Sequence, residues 1–199
     1  KGEIINMRKK VLMAEMLEID SEYTVGSHHY ANLFAKNGYD VLWLGPVFNK
    51  LYSLKNKEIY MKRKSNSGLN IHKVKDNIYS YSPYSHVLYG NYTGFNSKLA
   101  NKLSIKLTNP FLKEVLKENG FDKVDILWIT NVKYKPLIDL IDYKQLIYRC
   151  SDDISGFDNC CSSMIELEEE IITKSDFVFA TAHSLVEKKQ NIRKDIEYL

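Results

Sequence analysis

Val11-Leu-Met-Ala-Glu-Met16, followed by Gly26-Ser-His-His29, Tyr30 to Gly38 and Asp40-Val-Leu-Trp-Leu44, is the stretch that decides the fold. Its first run is short and continuously apolar, the pattern of a strand buried on both faces. Ser27 then stands where a helix N-cap is needed, Tyr30, Leu33 and Phe34 recur on one helical face, and Gly38 stops the helix. The second apolar run is another buried strand, closed by Gly45-Pro46. Two strands joined through a helix lie parallel, because a parallel pair needs a crossover connection.

The same grammar continues outward. Asn77 to Tyr81 reads as a strand ended by Pro83, and Leu99, Leu103 and Leu107 at i, i+4 and i+8 predict a helix with a leucine core face. After Pro110, a helix carrying Leu112, Val115 and Leu116 closes at Asn119-Gly120. Val124 to Thr130 and Gln145 to Cys150 are strands flanking a short helix over Lys135 to Asp142. Ser163-Met-Ile-Glu166 is a capping box opening a helix to Lys174; Phe177 to Thr181 is a strand, and Ser184-Leu-Val-Glu187 caps the last helix. Regular alternation predicts an α/β, Rossmann-like doubly wound parallel sheet. Residues 7–199 are expected to form this domain, with residues 1–6 either an upstream extension or a cloning scar.

Composition agrees: 44% apolar and 27% charged residues with 9 Gly and 4 Pro exclude disordered and collagen-like chains. Three Cys, at 150, 160 and 161, suit neither a disulfide framework nor a C-x-x-C zinc pattern, and are expected as buried small residues in a reducing compartment. The apolar run at Val11 is too short to span a membrane, so a cytoplasmic location is expected. Charge is unevenly placed: Leu51 to Lys75 carries +6, as an exposed loop or a surface for anionic partners, whereas Asp152 to Asp176 carries −7. Glu166 and Glu168 to Glu170 are expected to face water.

In a doubly wound sheet, ligands bind beyond the carboxyl ends of the strands. The candidate segments are therefore Leu17 to His29, Gly45 to Asn49, Asn131 to Tyr134, Ser151 to Phe157 and Ala182 to Ser184. No G-x-G-x-x-G, G-x-x-x-x-G-K-[ST] or G-x-S-x-G occurs, which argues against dinucleotide dehydrogenases, P-loop NTPases and nucleophile-elbow hydrolases. Asp152 and Asp153, directly after Arg149 and Cys150, are candidates for a general base, since mutual repulsion and partial burial raise a carboxylate pKa. They are equally readable as helix-capping or solvated residues. His28 and His29, at a helix N-terminus, are candidates for phosphate binding or proton transfer, against the alternative of a solvated surface position.

The ordered set formed by Gly26-Ser-His-His29, Leu33 to Trp43, Asn77 to Pro83, Asp125-Ile-Leu-Trp128, Ile147-Tyr-Arg-Cys-Ser-Asp-Asp153 and Glu168 to Leu185 resembles the N-terminal domain of bacterial GT-B glycosyltransferases. The similarity is to enzymes of exopolysaccharide and cell-wall polymer synthesis, of the xanthan-type glucuronosyltransferase and teichuronic-acid type. The resemblance implies transfer of a sugar from a nucleotide-sugar to a lipid-linked saccharide acceptor. This half would hold the acceptor, and a C-terminal donor domain, absent from these residues, would hold the nucleotide-sugar. It implies Asp152 or Asp153 as the base, with Glu15, Asp20 and His28 next in line. Ser27, His28, His29, Arg149 and Glu15 are the implied substrate contacts. Neither a cofactor nor a metal is implied, and no nucleic-acid partner.

Two other classes share these residues. A metal-dependent GT-A transferase would use Asp152 and Asp153 as ligands, but usually in a D-x-D pattern, which is missing. A non-catalytic binding module would have the same strands and helices. Finally, Leu51 to Lys117 carries a net +9 interleaved with Tyr and Phe, which suits either a solvated surface or reversible docking to an anionic membrane surface at the inner face of the cytoplasmic membrane.

Overall fold

The computed structural model describes residues 8–158 and 160–199; the expected extension at 1–6 lies outside them. The strands are β1 (Lys10–Ala14), β2 (Asp40–Leu44), β3 (His72–Lys75), β4 (Ile78–Tyr81), β5 (Lys123–Ile129), β6 (Asp142–Cys150), β7 (Phe177–Ala180) and β8 (Glu197–Tyr198). They form one sheet in the order β3-β4-β2-β1-β5-β6-β7-β8, and every pairing is parallel except β3 with β4. From β4 to β7 this is the doubly wound order 3-2-1-4-5-6, whose switch point falls between β1 and β5.

Alternation along the strands builds two cores. Val11, Met13, Val41, Trp43, Ile126, Trp128 and Ile147 point to one face, where Tyr30, Ala31 and Phe34 of α1 (Gly26–Lys36) cover them. Leu12, Leu42, Leu127, Leu146 and Tyr148 point to the other. That second face is covered by α4 (Lys98–Lys106), α5 (Leu112–Glu118), a 3-10 segment over Val132–Asp139, α6 (Ser162–Lys174) and α7 (His183–Lys189).

Several details differ from the pattern reading, for local reasons. The cap of α1 is Val25, not Ser27: the N3 residue His28 accepts the Val25 N–H through Nδ1 at 3.1 Å, the part a Glu usually plays in a capping box. Ser27 is thereby drawn inside the first turn and fully buried. Likewise α6 is capped at Cys161 and α7 at Ala182, so Ser163 and Ser184 lie within their helices. Leu33 is exposed, and Ala31 takes the inner place in α1.

The Lys-rich stretch is not a loop. It folds as α2 (Tyr52–Lys55), α3 (Lys57–Ser65), whose cap Asn56 accepts from the Ile59 N–H at 2.9 Å, and the edge strand β3. Glu168 does not face water: it is buried against Lys189, because the helical phase that points Met164, Leu167 and Ile171 inward carries it along.

Candidate functional site

Continuing the strand alternation one step past the apolar rung Met13, Trp128 and Ile147 places Glu15, Thr130 and Arg149 side by side on the α1 face, at the carboxyl ends of β1, β5 and β6. The rung turns polar where the first turn of α1 crosses above it. Trp128 Nε1 donates to Thr130 Oγ1 at 3.2 Å, and that hydroxyl donates to Glu15 Oε1 at 3.1 Å. The result is an open cleft of about 470 Å³ lined by Glu15, Val25, Gly26, Ser27, Arg149 and Asp152, among others, at the switch point of the sheet.

The loop over this cleft is fastened at three points. Trp43 Nε1 donates to the Leu17 carbonyl at 2.8 Å, and His28 Nε2 bonds the Ile19 carbonyl at 2.9 Å. Glu18 accepts from Arg63 Nε at 2.6 Å and from Ser82 Oγ at 3.0 Å. Glu18 fits only because position 45 is glycine: a Cβ there would stand 2.1 Å from Glu18 Oε2.

Electrostatically the cleft is unusual. Burial pushes the Glu15 carboxyl from 4.5 up to about 7, against the opposing pull of the neighbouring Ser27 and Thr130 hydroxyls and the Arg149 charge. Arg149 is itself buried, and its Nε has no hydrogen-bond partner. Its guanidinium lies so close under the start of α1 that a Cβ on Gly26 would be 2.7 Å from a terminal nitrogen. The buried Ser27 hydroxyl sits beside Glu15 without reaching hydrogen-bond geometry. Buried polar groups are ordinarily paired, so a guanidinium and a hydroxyl left open at a helix N-terminus describe a place for an anionic or strongly polar ligand.

The two adjacent aspartates part company. Asp152 is exposed and lines the cleft, accepting from Ser151 Oγ at 2.8 Å. Asp153 turns away to Lys188 Nζ at 2.7 Å and to the Ser155 hydroxyl and N–H at 2.7 and 3.2 Å. The Lys188 and Ser155 hydrogen bonds hold its carboxyl down at about 2, so it is a capping residue and a poor base. His28 has both ring nitrogens engaged by backbone and its ring against Trp43, and His29 is exposed, outside the cleft lining. Asp20 pairs with Lys62 at 3.0 Å on the surface. Cys150 is buried, and its thiol is pushed up to about 12 by burial.

Sequence reasoning missed Thr130 and an apolar arm of the cleft. Around Met16 and Thr130 the opening continues into a cavity of about 200 Å³ lined by Pro46, Val47, Phe157 and Met164, with Lys133 beside them. Among the described residues no group of three or more His, Cys, Asp or Glu is placed to hold a metal, and no helix is long and apolar enough to cross a membrane.

Fold and cleft together define a doubly wound α/β domain with a polar ligand crevice at its switch point. No family model and no curated protein matches the chain. Among solved structures, it is similar to the catalytic domain of starch synthase IV from Arabidopsis thaliana bound to ADP and acarbose (TM-score 0.46, 8% identity), covering 96% of this chain and 51% of that one. It is also similar to a trehalose-6-phosphate protein from E. coli bound with UDP-2-fluoro glucose (TM-score 0.45, 16% identity), covering 88% of this chain and 40% of that one. The chain thus spans about half the length of these structures, or less.

Proposed function

We propose that the chain is the acceptor-side half of a GT-B glycosyltransferase that moves a sugar from a nucleotide-sugar to a lipid-linked saccharide in surface polysaccharide synthesis. The observation that carries this reading is the polar rung at the switch point: a carboxyl group with a pKa near neutrality beside a buried guanidinium without a hydrogen-bond partner at Nε. The ordered sequence resemblance supports it. In the transfer, the acceptor hydroxyl oxygen forms a bond to the sugar's anomeric carbon while the bond from that carbon to the nucleotide's phosphate oxygen breaks. Glu15 takes the hydroxyl proton, because a base poised near neutral pH combines availability with driving force. Asp152 stands at the mouth and orients the acceptor. Arg149 and Ser27 face the phosphate charge. Most donor contacts belong to a second domain beyond these residues, and the acceptor brings the enzyme to an anionic membrane surface.

Two measurements test this. The 199 residues alone are expected to fold, to show no turnover and to bind nucleotide-sugars weakly; calorimetry showing tight binding would overturn the division into halves. Pyrophosphate is expected to raise the thermal midpoint of this chain, and Arg149→Met to abolish that rise; the variant should stay folded, because Met keeps the apolar packing of the stem and strands no hydrogen-bond partner of Nε. Pyrophosphate protection that survives Arg149→Met places the anion elsewhere and removes the main support for a transferase.

A further inference from the structure

The apolar arm that opens from the cleft at Met16 and Thr130 has Val47, Phe157 and Met164 on its wall, and among the described residues Lys133 is the only charged group lining it. The backbone of that lysine is fixed from both sides. Its N–H donates to Asn131 Oδ1 at 3.1 Å, and its carbonyl accepts from Asn101 Nδ2 at 2.8 Å. Asn101 is buried on the inner face of α4; the leucines at 99, 103 and 107, expected as that core face, turn outward, with Leu99 64% and Leu107 43% exposed. The Lys133 side chain passes over Tyr89, with Nζ 5.8 Å from the ring centroid. Tyr89 is itself held: its hydroxyl donates to Ser163 Oγ at 3.0 Å, and that hydroxyl donates to the Asn96 carbonyl at 2.6 Å.

What this ammonium lacks is an anion. A charge withdrawn from water needs a partner of opposite sign, yet Lys133 is half-buried and forms no ion pair among the described residues. Burial pulls the ammonium below the usual lysine range. The acids of the surrounding elements are engaged elsewhere. Glu168 is bound to Lys189 at 2.5 Å and Asp153 to Lys188 at 2.7 Å. Asp152 accepts from Ser151 at the mouth of the polar cleft, and Glu15 accepts from Thr130 and lies within the field of Arg149. Asp158, beside Phe157, is exposed and forms no ion pair with Lys133. The Cys160 thiol on the same wall is pushed up by burial and stays neutral.

The size and charge of the arm define what it takes. About 200 Å³ admits one small ring. One ammonium balances one negative charge, so a carboxylate leaves nothing unpaired among the apolar walls, whereas the second charge of a phosphate monoester would stand alone there. Phe157 offers an aromatic surface for the apolar C–H face of a sugar ring. Thr130 lines both the arm and the polar rung, so a ring seated in the arm borders Glu15.

We propose that this arm is a subsite for a carboxylate-bearing sugar, a uronic acid, presented as the acceptor, with Lys133 Nζ donating to the carboxylate and Phe157 covering the ring. This rests on the transferase reading above and names the chemical class of its acceptor. Its failure is distinguishable from failure of that reading, because pyrophosphate protection through Arg149 reports on the cleft without any sugar.

Amide NMR titrations of the chain with glucuronate and galacturonate, against glucose and galactose at equal ionic strength, test it. At least one uronate is expected to bind about tenfold or more tightly than its neutral counterpart, the reach of one hydrogen bond to a charged group. Lys133→Met should remove this preference while keeping pyrophosphate protection, which shows that the variant is folded; Lys133→Gln gives the same reading should Met unfold the chain. Phe157→Ala should weaken uronate and neutral sugar alike. Absence of a uronate preference, a preference that survives loss of the ammonium, or a Lys133-dependent binding of glucose 6-phosphate tighter than that of either uronate would each overturn the proposal.

Discussion

Replacing Glu168 by Ala is expected to destabilise the fold by about 3–5 kcal/mol, the usual cost of leaving one member of a buried ion pair alone. Glu168 and Lys189 are 1% and 5% exposed, with Lys189 Nζ 2.5 Å from Glu168 Oε2. Tyr148 donates to the other carboxylate oxygen at 2.8 Å. The truncation strands an ammonium and a phenol together in the interior that joins β6, α6 and α7. Urea unfolding at neutral pH reads the loss. The double replacement Glu168→Leu with Lys189→Met should recover most of it, because an apolar pair of similar volume needs no partner. A single-variant loss below about 1 kcal/mol would show that water reaches Lys189 and that the pair is not closed. The network also bears on the cleft, since Tyr148 and Cys150 flank Arg149 on the same strand.

What the sequence made legible follows from how local each signal is. The strand over 40–44 coincides with its apolar run, and β1, β4, β5, β6 and β7 fall within a few residues of theirs, because a strand buried on both faces needs only a short apolar run with turn residues at its ends. Caps were less readable. Ser27, Ser163 and Ser184 are good cap residues two positions late, and the true caps Val25, Cys161 and Ala182 carry no capping side chain that a pattern would reveal. The leucine stripe of α4 has faultless helical spacing, yet spacing says nothing about which side meets the core. Glu168 reads as one of four solvated acids because its partner Lys189 is far along the chain. The cleft was half visible: Asp152, Arg149 and Ser27 lie on rim segments that the topology picks out. The pairing of Glu15 with Thr130 and Arg149 required the register across β1, β5 and β6, and the separation of Asp152 from Asp153 required the position of Lys188.

Glu15→Gln is expected to make this chain more stable and the proposed transferase much slower. Folding raises this carboxyl from 4.5 to about 7 by burial. Below about pH 4.5, folded and unfolded chains are both protonated and the position costs nothing. Between about 4.5 and 7 the unfolded chain releases its proton first, so stability falls as pH rises, and above about 7 the full penalty applies, on the order of 3 kcal/mol. Gln keeps the shape and an oxygen for the Thr130 hydroxyl while removing the titration. The variant should therefore match wild type near pH 4.5 and exceed it by about 2–3 kcal/mol at pH 8 in urea unfolding. In the transferase proposed above the same replacement should lower kcat by about 100-fold or more, with little change in donor affinity, and erase an acidic limb of kcat/KM near pH 7. Asp152→Asn should cost about tenfold through acceptor orientation, and Asp153→Asn should leave turnover near normal because its carboxylate is committed to Lys188 and Ser155. A stability gain at pH 8 without any loss of turnover would mean that Glu15 is buried and raised but not the base. If turnover instead collapses in Asp152→Asn, the proton goes to the carboxylate at the mouth of the cleft and the buried one serves only to shape the site around Arg149.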